Sequence, residues 1–85
     1  MKTTLLRYNV LIEKEGKYYV AYVPTLGISD FGKTIDNAKQ NIQEAIQCHI
    51  EGLAKTGAEI PNPDRDDAIL SSAHVTVFGN LKLAL

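Results

Sequence analysis

Between Thr34 and Gly57, aliphatic residues recur at spacings of three and four, and this stretch constrains the fold more than any other. Ile35, Ala38, Ile42, Ala45, Ile46, His49, Ile50 and Leu53 fall on one stripe of a helix, with Asp36, Lys39, Gln40, Gln43, Glu44, Gln47 and Glu51 largely on the opposite side. The ends carry matching signals. Thr34 can cap the first turn, Asp36 suits the positive end of the helix dipole, Lys55 suits the negative end, and Gly57 can take the left-handed conformation that stops a helix. A helix with one apolar stripe needs a surface to lie on, and the residues before it supply one.

Thr4 to Glu13 reads as a strand, because Leu6, Tyr8, Val10 and Ile12 alternate with Arg7, Asn9 and Glu13. Lys14-Glu15-Gly16-Lys17 reads as a turn and Tyr18 to Val23 as the returning strand, rich in aromatic and β-branched residues. Pro24 removes a donor and ends that ladder; Ile28 to Phe31 reads as a short third strand. After the helix, Pro61 and Pro63 forbid further helix. Ala73 to Phe78 alternates again, with His74, Thr76 and Phe78 on one side and Val75 and Val77 on the other. The expected fold is α+β in the order β-β-β-α-β: a mainly antiparallel sheet with one long helix on one face, and a last strand returning beside the first by a right-handed crossover. Residues 1–85 form a single domain in this reading, without repeats or a linker.

An 85-residue domain hides only about 60–65% of the surface its unfolded chain exposes, so self-association or a partner is expected to complete its core. The candidates for self-association are Val75, Val77 and Phe78 of the last strand, with Leu81, Leu83 and Leu85 of the apolar tail. The net charge of −1 argues against broad binding to a phosphate backbone. Charge is nonetheless uneven: Glu59, Asp64, Asp66 and Asp67 cluster after the helix and form the candidate surface for a basic partner. The single cysteine, Cys48, cannot form an internal disulfide, which fits a reducing cytoplasm. Met1 to Arg7 lacks the apolar core of a secretory leader, and no apolar run approaches the roughly 20 residues of a membrane span. A cytoplasmic protein is expected.

Catalytic constellations are hard to find. Two-metal phosphodiester chemistry needs converging acids, whereas Glu13, Glu44, Glu51 and the post-helix acids are scattered, and Tyr8 and Val10 stand at the centre of the first strand. Cys48 and His49 diverge by about 100° around a helix, so they neither chelate together nor form a nucleophile–base pair. No catalytic, cofactor or metal residue is assigned. Tyr8, Tyr18, Tyr19, Tyr22, Phe31 and Phe78 could stack nucleic-acid bases, but Arg7, Lys14, Lys17 and Lys33 form no tight basic patch beside them.

The ordered set of short words resembles the HicB-type antitoxin family and its short stand-alone relatives. The words are Tyr8-Asn9-Val10-Leu11-Ile12-Glu13-Lys14, then Tyr18-Tyr19-Val20-Ala21-Tyr22-Val23-Pro24, Leu26-Gly27-Ile28-Ser29 and Gly32-Lys33-Thr34. Ala38, Asn41-Ile42 and Glu44-Ala45-Ile46 follow in the helix, and Gly57-Ala58-Glu59-Ile60-Pro61-Asn62-Pro63 at its exit. The resemblance implies a partial ribonuclease-H-like fold without nuclease chemistry. It also implies a non-enzymatic antitoxin that binds and occludes a small, basic HicA-type ribonuclease toxin. The chain departs from the family in two places. Thr25-Leu26-Gly27 lacks the extra proline many members carry. About twenty residues follow Pro63-Asp64, too few for both the last strand and the C-terminal DNA-binding domain of many full antitoxins, so operator binding is not expected. The alternative is a stand-alone oligomeric domain that binds RNA or DNA through tyrosine and lysine side chains.

Overall fold

The computed structural model of the chain describes residues 2–84. Its elements are β1 (Leu11–Glu15), β2 (Tyr18–Val23), β3 (Ile28–Gly32) and α1 (Ile35–Lys55). The strands form one antiparallel sheet in the order β1-β2-β3, and α1 crosses one face of it. The class is α+β, β-β-β-α.

The hairpin is tighter than the sequence suggests. Lys14 and Glu15 belong to β1, and the turn is only Gly16-Lys17, with Glu15 paired to Tyr18. Gly16 has φ 58° and Lys17 a negative φ, the pattern of a two-residue type II′ turn whose twist matches the strands it joins. That turn sets the register Leu11 to Tyr22 and Ile12 to Ala21. The same register corrects the expected start of the strand at Thr4. Continued outward, it would place Asn9 opposite Pro24, which has no N–H to give, so the ladder stops at Leu11.

Alternation divides the sheet into two faces. Ala21 and Val23 point at the helix and are fully buried against Ala38 and Ile42. Ala21 and Ala38 are small enough for helix and sheet to approach closely; Ile12, Tyr19, Ile28 and Ile46 close around this centre. Thr34 caps α1 as expected, its hydroxyl accepting from the Asn37 N–H at 3.0 Å. At the other end Gly57, at φ 72°, donates to the Ala54 carbonyl, and Ala58 donates to that of Leu53. This pair of bonds is a Schellman closure. Asn41 ties helix to sheet by donating to the Phe31 carbonyl at 2.7 Å.

The expected last strand is a second correction. Among the described residues no strand follows Gly32, and Ala73–Phe78 lies outside the sheet. A strand needs an edge, and Ala73–Phe78 takes no place at the edge beside β1. Asp64 is pinned next to Arg7 and Asn9, and the residues after it project outward. The radius of gyration is accordingly 17.0 Å, where a compact chain of this length has about 12 Å.

Candidate functional site

Two features stand out: an anchor at the helix exit and the uncovered face of the sheet. The anchor is built on Asp64. One carboxylate oxygen accepts from the Thr25 hydroxyl at 2.6 Å, and the other accepts from the Asn9 N–H at 2.7 Å. The Asp64 N–H itself donates to the Arg7 carbonyl at 2.8 Å. Arg7 donates through its guanidinium to the Arg65 carbonyl and the Asn9 side chain, and the Tyr8 hydroxyl donates to the Pro61 carbonyl at 2.7 Å. Both prolines of the exit therefore deliver a stiff, extended segment to the residues just before β1.

The electrostatics follow from these contacts. The hydrogen bond from Thr25, then that from Asn9, and the nearby Arg7 guanidinium hold the Asp64 carboxyl below its ordinary range, against a smaller opposing effect of burial. Partial burial, then the Asp64 charge, push the Tyr8 phenol up. Because the Asp64 pKa is depressed in the fold, the anchor is at full strength above the ordinary aspartate range. It is lost as pH falls through the lower, folded-state value. The Asn9 amide resonance should therefore titrate with a midpoint below the reference value of about 3.9, and the titration should vanish in Asp64→Asn. A midpoint at or above the reference value would show that Asp64 does not hold this segment.

The other post-helix acids are placed differently. Asp67 takes a forked pair of bonds from Arg65, at 3.0 and 2.7 Å, in an exposed ion pair of small energetic weight. Glu59 and Asp66 are exposed. Of the self-association candidates, Val75, Val77, Phe78, Leu81 and Leu83 are exposed along the projecting tail, and Leu85 lies outside the described residues. His49 is half-buried, and Cys48 and His74 are exposed. Among the described residues no group of three or more His, Cys, Asp or Glu side chains is placed to hold a metal.

The uncovered sheet face is ordered in rows by the register: Leu11, Tyr22 and Ser29; Glu13, Val20 and Phe31; Glu15 and Tyr18. Tyr18 meets Phe31 edge to face, with ring centroids 5.5 Å apart and planes at 81°. Two shallow depressions adjoin across Val20, of about 490 and 260 Å³; Glu15, Tyr18, Asp30 and Phe31 line the first, and Leu11, Glu13 and Tyr22 the second. The result is an aromatic strip edged by carboxylates. The sequence alone does not assemble this face, because Glu13, Glu15 and the aromatics join only through cross-strand pairing. Of the six aromatics that could stack bases, Tyr18, Tyr22 and Phe31 share this face, Tyr8 and Tyr19 pack against the core, and Phe78 lies on the tail.

A family profile described as the HicB-like antitoxin of a bacterial toxin–antitoxin system matches residues 8–76, most of the chain and all four elements. The chain belongs to the HicB-like antitoxin family. Among its relatives, this HicB-like chain is 42% identical over 64 residues to UPF0150 protein Ta0767 of Thermoplasma acidophilum, covering 73% of this chain and 93% of that one. It is 41% identical over 63 residues to UPF0150 protein ssr1765 of Synechocystis, covering 71% and 78%. An uncharacterized 14.9 kDa protein from the rep–hol intergenic region of Haemophilus phage HP1 shares 40% identity over 55 residues, 64% of this chain and 41% of the phage protein. No solved structure matches. No helix among the described residues of this HicB-like domain is long and apolar enough to cross a membrane.

Proposed function

We propose that this chain is a non-catalytic antitoxin domain that binds a small, basic HicA-type ribonuclease toxin and occludes its active surface. Family membership is the observation that carries the reading. The open face of the sheet is the contact best suited to it. A ribonuclease needs cationic side chains to hold phosphates, and Glu13 and Glu15 edge an exposed aromatic strip that can cover such a surface. Glu59 and Asp66 add long-range attraction for a basic partner, the charge of Asp67 being offset by its ion pair with Arg65, while Asp64 holds the segment beside them. The nucleic-acid alternative fits this face poorly, because its flanking charges repel phosphate and Arg7 is engaged in the anchor.

The test is affinity capture on the tagged full-length chain from its native lysate, with the bound protein identified by mass. A small basic ribonuclease should be retained in stoichiometric amount. The double substitution Glu13→Lys, Glu15→Lys should weaken its binding about tenfold or more, since it sets like charges against each other across the contact. RNA retained without any protein would overturn the antitoxin reading. Full retention by the double variant would move the contact off the sheet face.

A further inference from the structure

We propose that the segment Ala73–Phe78 of one copy seats as an added strand along the outer edge of β1 in a second copy, and reciprocally, closing a strand-exchanged dimer. The first observation is an excess of surface. The chain exposes 7664 Å², whereas a compact monomer of 9.3 kDa exposes about 5,000 Å². The surplus, about 2,700 Å² per chain or about 5,400 Å² for a pair, lies at the upper end of what obligate homodimers hide. Much of it is apolar: Val75 is 82% and Phe78 is 94% exposed, on a segment patterned as a strand.

The second observation is a matching groove on the body of the domain. It encloses about 700 Å³ between the residues preceding β1 and the helix, and is lined by Leu6, Val10, Ile12, Ile42, Ile46 and Ile50. Beside it the outer edge of β1 is unpaired. The two-residue turn closes on a hydrogen-bonded Glu15–Tyr18 pair, so Glu13 and Leu11 bond to β2, and Ile12 and Lys14 turn their backbone groups outward. Val75 and Val77, on one side of the segment, suit the apolar groove.

Charge and geometry select a second copy as the occupant. The only cations among the groove's lining residues are Arg7 and Lys39, and no acid lines it, so a basic protein is disfavoured there. Residues 68–84 carry Lys82 as their only Lys, Arg, Asp or Glu and can be buried with little loss of charge hydration. The chain's own tail does not line the groove, and the molecule extends 61 Å along its longest axis. From Asp64 to Ala73 the chain can span about 30 Å, enough to reach a neighbour. Because each copy has both the strand and the groove, one two-fold axis satisfies both and leaves no open end. The family match runs to Thr76 and so covers the first four residues of this segment.

Sedimentation equilibrium on the full-length chain at micromolar concentration should give twice the chain mass of 9.3 kDa. Hydrogen exchange on the same protein should show protected amides at Ile12, Lys14, Val75 and Val77, with protection falling on dilution. Val77→Asp should weaken the dimer about 100-fold or more while the helical circular dichroism persists, because the carboxylate would enter an apolar groove. A single-chain mass at all concentrations would overturn the proposal. So would a dimer whose terminal amides exchange freely, since its contact would then be elsewhere, on the open sheet face.

Discussion

Ile42→Ala is expected to cost about 2–5 kcal/mol of folding stability, the range for removing a buried aliphatic side chain and leaving a cavity. Ile42 is 1% exposed and, with Val23, is one of the two largest fully buried side chains among the described residues. It stands at the point where α1 meets the sheet, against Ala21, Val23 and Ala38. Those neighbours are small or short, so they cannot swing in to fill the space. A domain of this size has roughly 4–13 kcal/mol of stability in total, so the loss is a large share of it. The thermal midpoint, followed by circular dichroism at fixed protein concentration, should fall by about 10–30 °C. Ile35 belongs to the same stripe, yet it is 49% exposed at the first turn, and Ile35→Ala should cost under about 1 kcal/mol. Equal losses for the two variants would mean that the helix is not seated on the sheet through Ile42.

The difference between those two isoleucines shows where sequence reading stops. Periodicity identifies the stripe, the cap at Thr34 and the stop at Gly57, because each depends on residues within a turn or two. β2 is likewise legible, being bounded by Gly16 and Pro24. The start of β1 is not, because it depends on which residue faces Pro24, and that follows from a turn of two residues rather than four. Asp64 reads as one acid in a cluster; its partners, Thr25 and Asn9, are 39 and 55 residues away. The open face was hidden for the same reason, since Val20 brings Glu13 and Phe31 into one row only after both ladders form. Ala73–Phe78 carries the alternation of a strand, but alternation describes the segment and says nothing of the edge it needs. The edge proposed for it belongs to another copy.

Gly32→Ala should be the most damaging substitution of a glycine, and for a reason unrelated to glycine's backbone freedom. Gly32 is not among the glycines with positive φ. A Cβ there would lie 2.5 Å from the Ala38 nitrogen and 2.8 Å from the carbonyl carbon and Cβ of Asn37. The first two are backbone atoms of the helix and cannot rotate away. β3 runs into α1 through only Lys33 and Thr34, so the first turn folds back over the end of the strand. Relief requires the helix start to lift, which would strain the Asn41 bond to the Phe31 carbonyl and loosen Ala38 from the core. Overpacking of this kind costs about 1–3 kcal/mol where side chains can adjust, and the upper end is expected here. Two other glycines separate the causes. Gly52 lies within the helix, with nothing within 4 Å of where an added methyl group would sit, and Gly52→Ala should stabilise by up to about 1 kcal/mol. Gly16 has the same open surroundings but φ 58°, and Gly16→Ala should cost about 1–2 kcal/mol through backbone strain alone. Chemical denaturation of the three variants should therefore give a large loss, a gain and a moderate loss. If Gly32→Ala proved as harmless as Gly52→Ala, the helix start could not lie over β3, and the seating of Ala38 and Ile42 would have to be redrawn.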